Sequence, residues 1–276
     1  MKTFAKIILN IALVLLVLGV VIGLISVAMG ASPLTVGNNF QHGWFANPTN
    51  WQVNRTEMTG IPSQEDVIDG AGLRNLNFEI GLGEAIIQRG ENFEIIFANE
   101  ASRSHFYHYR RGDTWHIGTH DHHVRGWGFW RNNRDNLGIT IIIPADFAAN
   151  HIYIALGMGM LRAEQLVATN FDFDIGMGSA TIENLSVERL VTTIGMGDLR
   201  INNCDAANIF VDVGMGAAYI NLTRPVTSYR GQANGGLGSA TIGANRFAGV
   251  FSSSFGATTA PYYIEINVGM GSVEIR

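Results

Sequence analysis

Six of the eight histidines fall within 19 residues: His105, His108, His116, His120, His122 and His123, with Asp113 and Asp121 among them. Side chains two apart on a strand share a face, so His120 and His122 can hold one ion together. His116, with either His105 or His108, can add ligands across a hairpin. Imidazole suits zinc, copper or nickel. The candidate ligands for a divalent transition metal are therefore His116, His120 and His122. The same segment carries Phe106, Tyr107, Tyr109, Trp115, Trp127 and Trp130, which equally describes a solvated aromatic surface that uses histidine. A third reading is a pH-responsive surface, since imidazole gains charge near an ordinary pKa of about 6.5.

Paired carboxylates are the second candidate chemistry. Asp174 and Asp212 occupy one position of a 19-residue repeat, two copies apart with Thr193 between them. Stacked strands would set them about 9.6 Å apart, a separation that glycoside hydrolysis tolerates. No basic residue or histidine is assigned beside them from sequence, so a solvated outer ladder is the preferred reading. Glu164, Glu183, Asn202 and Asn221 share another repeat position and form a second such ladder. Arg111-Gly112-Asp113 matches a receptor-read tripeptide, but Gly-Asp is also ordinary turn chemistry between strands. The Gly-x-Gly motifs are no phosphate loop: each is followed by a strand pattern, and Lys is absent after position 6. No nucleophile–His–Asp arrangement is apparent, and the chain is read as no enzyme.

The elements that position these residues follow from the repeat. Gly-Met-Gly occurs at 157–159, 176–178, 195–197 and 214–216, always 19 residues apart. Gly236-Leu237-Gly238 follows after 22 residues and Gly269-Met270-Gly271 after 33, while Gly81-Leu82-Gly83 stands apart. A fixed period of this kind marks a stacked architecture, because one unit cannot bury its apolar face alone. Apolar residues alternate before the glycines (Phe171, Phe173, Ile175) and after them (Ala180, Ile182), the period of a half-buried strand. The parity shifts between the two runs, so one residue must be absorbed at the glycines, by a bulge or corner. Stacking predicts an internal column of Met158, Met177, Met196 and Met215 and another of Ile182, Ile201 and Ile220. Leu166, Leu185 and Cys204 share a position, which makes Cys204 an inert buried thiol. Between the early copy and the repeats, Phe93–Ile96, Ser104–Tyr109, Thr114–Thr119 and Ile139–Ile143 read as strands, with a His/Trp-rich insertion over 100–137.

Lys2 and Lys6 precede an apolar run from Ile7 to Met29, long enough to cross a bilayer. The positive flank places the amino terminus in the cytoplasm. The chain then divides into a tip at 1–6, a transmembrane anchor at 7–29, a linker at 30–66 and a β domain at 67–276. Cleavage after Gly30 as a secretory signal is the alternative; the length of the run favours the anchor. Both export the rest. A formal net charge of -5 argues against a nucleic-acid partner, which needs a basic face. One cysteine among 276 residues leaves no intramolecular disulfide.

An anchor, a Gly-x-Gly strand pair, a central stretch ending in Ile141-Ile142-Ile143-Pro144 and a ladder of Gly-x-Gly pairs together resemble the bacterial "putative adhesin" domain family, over roughly residues 68 to 276. The resemblance implies an all-β domain, a right-handed single-stranded β-solenoid carried on envelope proteins, with no catalytic residues to carry over. The expected function is a non-catalytic surface or envelope module that presents a flat β face to a cell-envelope partner. An envelope-stress sensor using the His-rich segment is the alternative, and a glycan-active enzyme a third class.

Overall fold

The computed structural model describes residues 67–120 and 137–276. The apolar run 7–29, the linker 30–66, and His122, His123, Trp127 and Trp130 lie outside these residues. Among the described residues no helix is long and apolar enough to cross a membrane.

Among the described residues the fold is nearly all-β, with eighteen strands in one continuous hydrogen-bonded sheet. They are β1 (Val67–Ile68), β2 (Asn75–Ile80), β3 (Glu84–Gly90), β4 (Phe93–Phe97), β5 (Phe106–Arg111), β6 (Thr114–Thr119), β7 (Gly138–Pro144), β8 (Ala149–Leu156) and β9 (Met160–Ile175). There follow β10 (Ser179–Ile194), β11 (Asp198–Val213), β12 (Ala217–Leu222), β13 (Tyr229–Gly235), β14 (Ser239–Ile242), β15 (Asn245–Ala248), β16 (Phe251–Phe255), β17 (Tyr262–Val268) and β18 (Ser272–Ile275). One short α-helix, α1 (Glu100–His105), is capped by Asn99, whose side chain accepts from Ser102 N at 2.8 Å. The expected strand over Ser104–Tyr109 therefore starts later, at Phe106. A capping Asn followed by an acidic first-turn residue is a helix-start signal that outweighs the aromatic run behind it.

The 19-residue period is the stacking register. β9, β10 and β11 lie parallel, with Leu166 beside Leu185 and Leu185 beside Cys204. Nineteen is odd, whereas strict in–out alternation repeats every two residues. Each turn of the coil must therefore contain an odd number of places where two neighbours face outward together. The structure has three. On the turn that contains β10 they are Gly176-Met177, in the corner before the strand, then Glu183-Asn184 and Glu188-Arg189 within it, and the turns of β9 and β11 repeat them. The coil thus has three sides, where the sequence had pointed to one slip only. Inside lie Ala180 and Ile182, then Leu185 and Val187, then Leu190 and Ile194, all buried.

The isoleucine column is internal as expected: Ile182, Ile201 and Ile220 are fully buried. The methionine column is not. Met158, Met177, Met196 and Met215 are 50–54% exposed. At this corner the inward slot belongs to the second glycine. A Cβ on Gly178 would lie 2.6 Å from the Gly159 carbonyl oxygen, and one on Gly197 or Gly216 would overlap the oxygen of the rung below outright. Main chains stack too closely there for any side chain inside, so the methionine is turned out to solvent.

The order of rungs differs from chain order at both ends. β17 and β18 insert between β11–β12 and β13–β14, so Gly269 stacks on Gly214 and Gly236 on Gly269. At the other end β2 and β3 lie between β6–β7 and β8–β9, which brings the early Gly81-Leu82-Gly83 against Gly157. Antiparallel partners close both ends: β5 on β6 and β4 on β7, then β16 on β13 and β15 on β14. Hairpin closure at the ends shields edges that would otherwise template aggregation.

An in-register side-chain face and an exposed methionine ridge

The strands before the glycine corner form one side of the stack, in the order β5-β6-β2-β8-β9-β10-β11-β17-β13-β16. Ten strands at about 4.8 Å span roughly 43 Å. Because register is kept across all of them, outward side chains fall into straight rows. One row runs Tyr109, His116, Asn77, Tyr153, Asp172, Val191, Phe210 and Glu265; the next includes Tyr107, Glu79, Asp174, Thr193 and Asp212.

At the β5–β6 end the outward chains are stacked rings. His116 lies on Tyr109 at 4.8 Å, with 9° between planes, Tyr109 on Tyr107 at 6.0 Å, and Tyr107 against His120 at 5.0 Å. Tyr107 covers Gly118, where a Cβ would meet its ring at 2.5 Å. Burial, then the Arg111 charge, pushes the His116 imidazole below its ordinary pKa. The cross-strand neighbour of His116 is Tyr109, and His108 pairs with the inward Ile117. His105 Nε2 lies 3.2 Å from the Leu82 carbonyl oxygen. Neither His105 nor His108 thus joins His116 on its face: His105 ends helix α1, and strand alternation puts His108 on the other side of β5. His116 and His120 are set on different tyrosines, and His122 lies outside the described residues. Among those residues no three His, Cys, Asp or Glu side chains gather as a metal site.

The hairpin turn holds Arg111-Gly112-Asp113, with Gly112 at φ +62°. The Asp113 carbonyl accepts from Arg74 N and Asn75 N, and Arg110 Nε donates to Gly112 O at 2.9 Å. The tripeptide is held as a structural turn.

Mid-face, Asp174 and Asp212 flank Thr193 on consecutive rungs, as the repeat requires. Burial raises both carboxyls above the ordinary range. Tyr153 and Thr193 oppose that at Asp174 by hydrogen bonds, and Asn267 opposes it at Asp212. Tyr153 donates to Asp174 Oδ2 at 3.1 Å and Asn267 Nδ2 to Asp212 Oδ1 at 2.7 Å. His151 Nε2 sits 2.8 Å from Asp172 Oδ2. Sequence reasoning missed His151 and Tyr153. The signal was present: both pairs are 21 residues apart, one coil plus one same-face step. At the far end Arg189 lies over Phe210 at 4.0 Å, and Phe210 is 6.0 Å from Tyr263. On the outer ladder, Asn202 Nδ2 donates to Glu183 Oε2 at 2.7 Å.

Cys204 is fully buried, and burial pushes its thiol up to about 12. It is a core residue, as its repeat position implied.

The glycine corner carries the other exposed feature. Met158 N donates to Gly81 O, Met177 N to Gly157 O, Met196 N to Gly176 O, Met215 N to Gly195 O, Met270 N to Gly214 O and Leu237 N to Gly269 O, all at 2.7–2.8 Å. These bonds set Leu82, Met158, Met177, Met196, Met215, Met270 and Leu237 one per rung, 47–74% exposed. Seven rungs make an apolar ridge roughly 29 Å long.

Residues 86–234, more than half of the chain, match the family described as Toastrack DUF4097. The chain belongs to the Toastrack DUF4097 family. Its Toastrack domain is similar to two solved structures. A "putative cell adhesion protein" from Clostridium sporogenes aligns with a TM-score of 0.46 at 15% identity, over 76% of this chain and 95% of that one. A "putative adhesin" from Bacteroides fragilis aligns with a TM-score of 0.33 at 13% identity, over 79% of this chain and 100% of that one. No curated protein matches the Toastrack chain.

Proposed function

We propose that the chain is a non-catalytic, adhesin-like module of the cell envelope. In this reading Ile7–Met29 anchors it in the membrane with the amino terminus in the cytoplasm. The exported domain, a right-handed single-stranded coil, offers its flat face to a surface partner. The observation that carries the reading is the ten-strand face with its side chains in register: rings at intervals (Tyr109, Tyr153, Phe210, Tyr263) and hydrogen-bonding carboxylates and amides between them. Flat rings suit the apolar faces of sugars, and the carboxylates and amides suit their hydroxyls, so glycan of the cell wall is the partner chemistry to try first.

The test is retention of the full chain, in mild detergent, on purified cell-wall glycan. Tyr153→Ala and Tyr263→Ala are expected to weaken retention, whereas Thr181→Ala, on a different side of the coil, leaves it unchanged. Equal retention of all three variants, or none by the parent chain, counts against the reading. Turnover of the glycan that Asp174→Asn or Asp212→Asn abolishes would replace it with an enzyme.

A further inference from the structure

Among the described residues, seven of the twelve exposed large hydrophobic side chains stand on the methionine ridge. Every other repeated apolar column of the coil is buried. Contiguous exposed apolar surface of this kind marks an interaction site. From rung to rung the ridge reads Leu82, Met158, Met177, Met196, Met215, Met270, Leu237, so it reads the same from either end. Sequence order hides this, because the last two rungs are exchanged in the stack.

A groove of about 560 Å³ runs beside one half of the ridge. Among the described residues it is lined by Met196, Met215, Met270 and Leu237 together with Ser239 and Ser272, and Asp198 is the one charged side chain that lines it. The other half, Leu82 to Met177, supplies three projecting side chains. We propose that this corner is a two-fold interface between two copies of the chain, packed antiparallel about Met196, each copy laying Leu82, Met158 and Met177 into the groove of the other. Met177 then meets Met215 of the second copy, Met158 meets Met270, and Leu82 meets Leu237. A two-fold contact requires this reciprocity: if one residue touches another, the second must touch the first.

The size is sufficient. Seven long side chains 47–74% exposed, at roughly 100 Å² each, offer at most about 700 Å² per chain, or about 1,400 Å² in total, above the roughly 1,000 Å² that a specific interface needs. Depletion of charge is also what the centre of an interface shows. Methionine suits it, since its unbranched thioether adapts to an opposing row.

The test uses the full chain in mild detergent with single cysteines on the ridge, under mild oxidation. Buried Cys204 does not compete. A residue on the axis meets its own copy, so Met196→Cys is expected to form a disulfide-linked dimer by itself. Met158→Cys and Met270→Cys are expected to cross-link efficiently only when mixed. Met215→Asp should convert the dimer to monomer by light scattering, with an unchanged circular dichroism spectrum. A monomeric parent chain overturns the inference, as does a Met158→Cys chain that links to itself as readily as Met196→Cys. A monomer still retained on cell-wall glycan would sink the dimer and leave the proposed binding function standing.

Discussion

Thr192 is the one fully buried polar side chain of the repeat core, and its hydroxyl has no hydrogen-bond partner. Its register neighbours are Phe173 on one rung and Val211 on the next, so the hydroxyl lies in an apolar file. Thr192→Val keeps the shape and removes the unsatisfied group. An unpaired buried hydroxyl costs about 1–3 kcal/mol, so the substitution is expected to stabilise the domain by about that amount. For a domain of this size each kcal/mol moves Tm by roughly 2–4 °C, and a rise of several degrees is the expected reading in a thermal melt followed by circular dichroism. The mirror change, Val211→Thr, places the same hydroxyl one rung along and should lower Tm by a similar amount. A Thr192→Val chain that melts at or below the parent temperature would refute the reasoning, for it would mean that the hydroxyl is satisfied. Opposite shifts of comparable size in the two variants would establish that the file is dry.

Gly197→Ala forces a Cβ into the Gly178 carbonyl, whereas Gly195→Ala meets the Gly176 oxygen at 3.0 Å; the first is expected to lose at least 1–3 kcal/mol, and equal melting of both would refute the tight-corner argument. Burial holds the Asp212 carboxyl above its ordinary value, so at a pH between the two values the folded state keeps a proton that the unfolded chain has released. Stability from this group is full below the ordinary carboxylate pKa of about 3.9 and is lost as pH rises through the folded value. Asp212→Asn should therefore raise Tm more at neutral pH than in acid, and a pH-independent difference would contradict it. If the His-rich segment takes up a transition metal, a zinc or copper titration of His120→Ala/His122→Ala will show weakened affinity; unchanged affinity removes the metal reading.

Much of the architecture is legible in the residues because it follows from period and parity. The 19-residue spacing of Gly-x-Gly sets the register of β9, β10 and β11. Alternation names the inward Ile182, Ile201 and Ile220, and shared repeat position puts Cys204 in the core. The same arithmetic places Asp174, Thr193 and Asp212 in one row. The candidate site was less legible. Its hydrogen-bonded partners, His151 to Asp172 and Tyr153 to Asp174, are diagonal neighbours on the face; their 21-residue spacing is in the sequence, but it becomes a contact only where adjacent rungs keep register.

The amino-acid sequence alone determines that this is a repeating β coil whose core columns recur every nineteen residues, since burial demands that equivalent positions face the same way on each turn. Only the tertiary structure decides how many corners each turn has, which rungs are exchanged at the two ends, and on which side the methionines stand. Those outcomes depend on contacts between segments far apart in the chain. The carbonyl of one rung occupies the space that a side chain on the next would need, and no local pattern of polar and apolar residues records that distance.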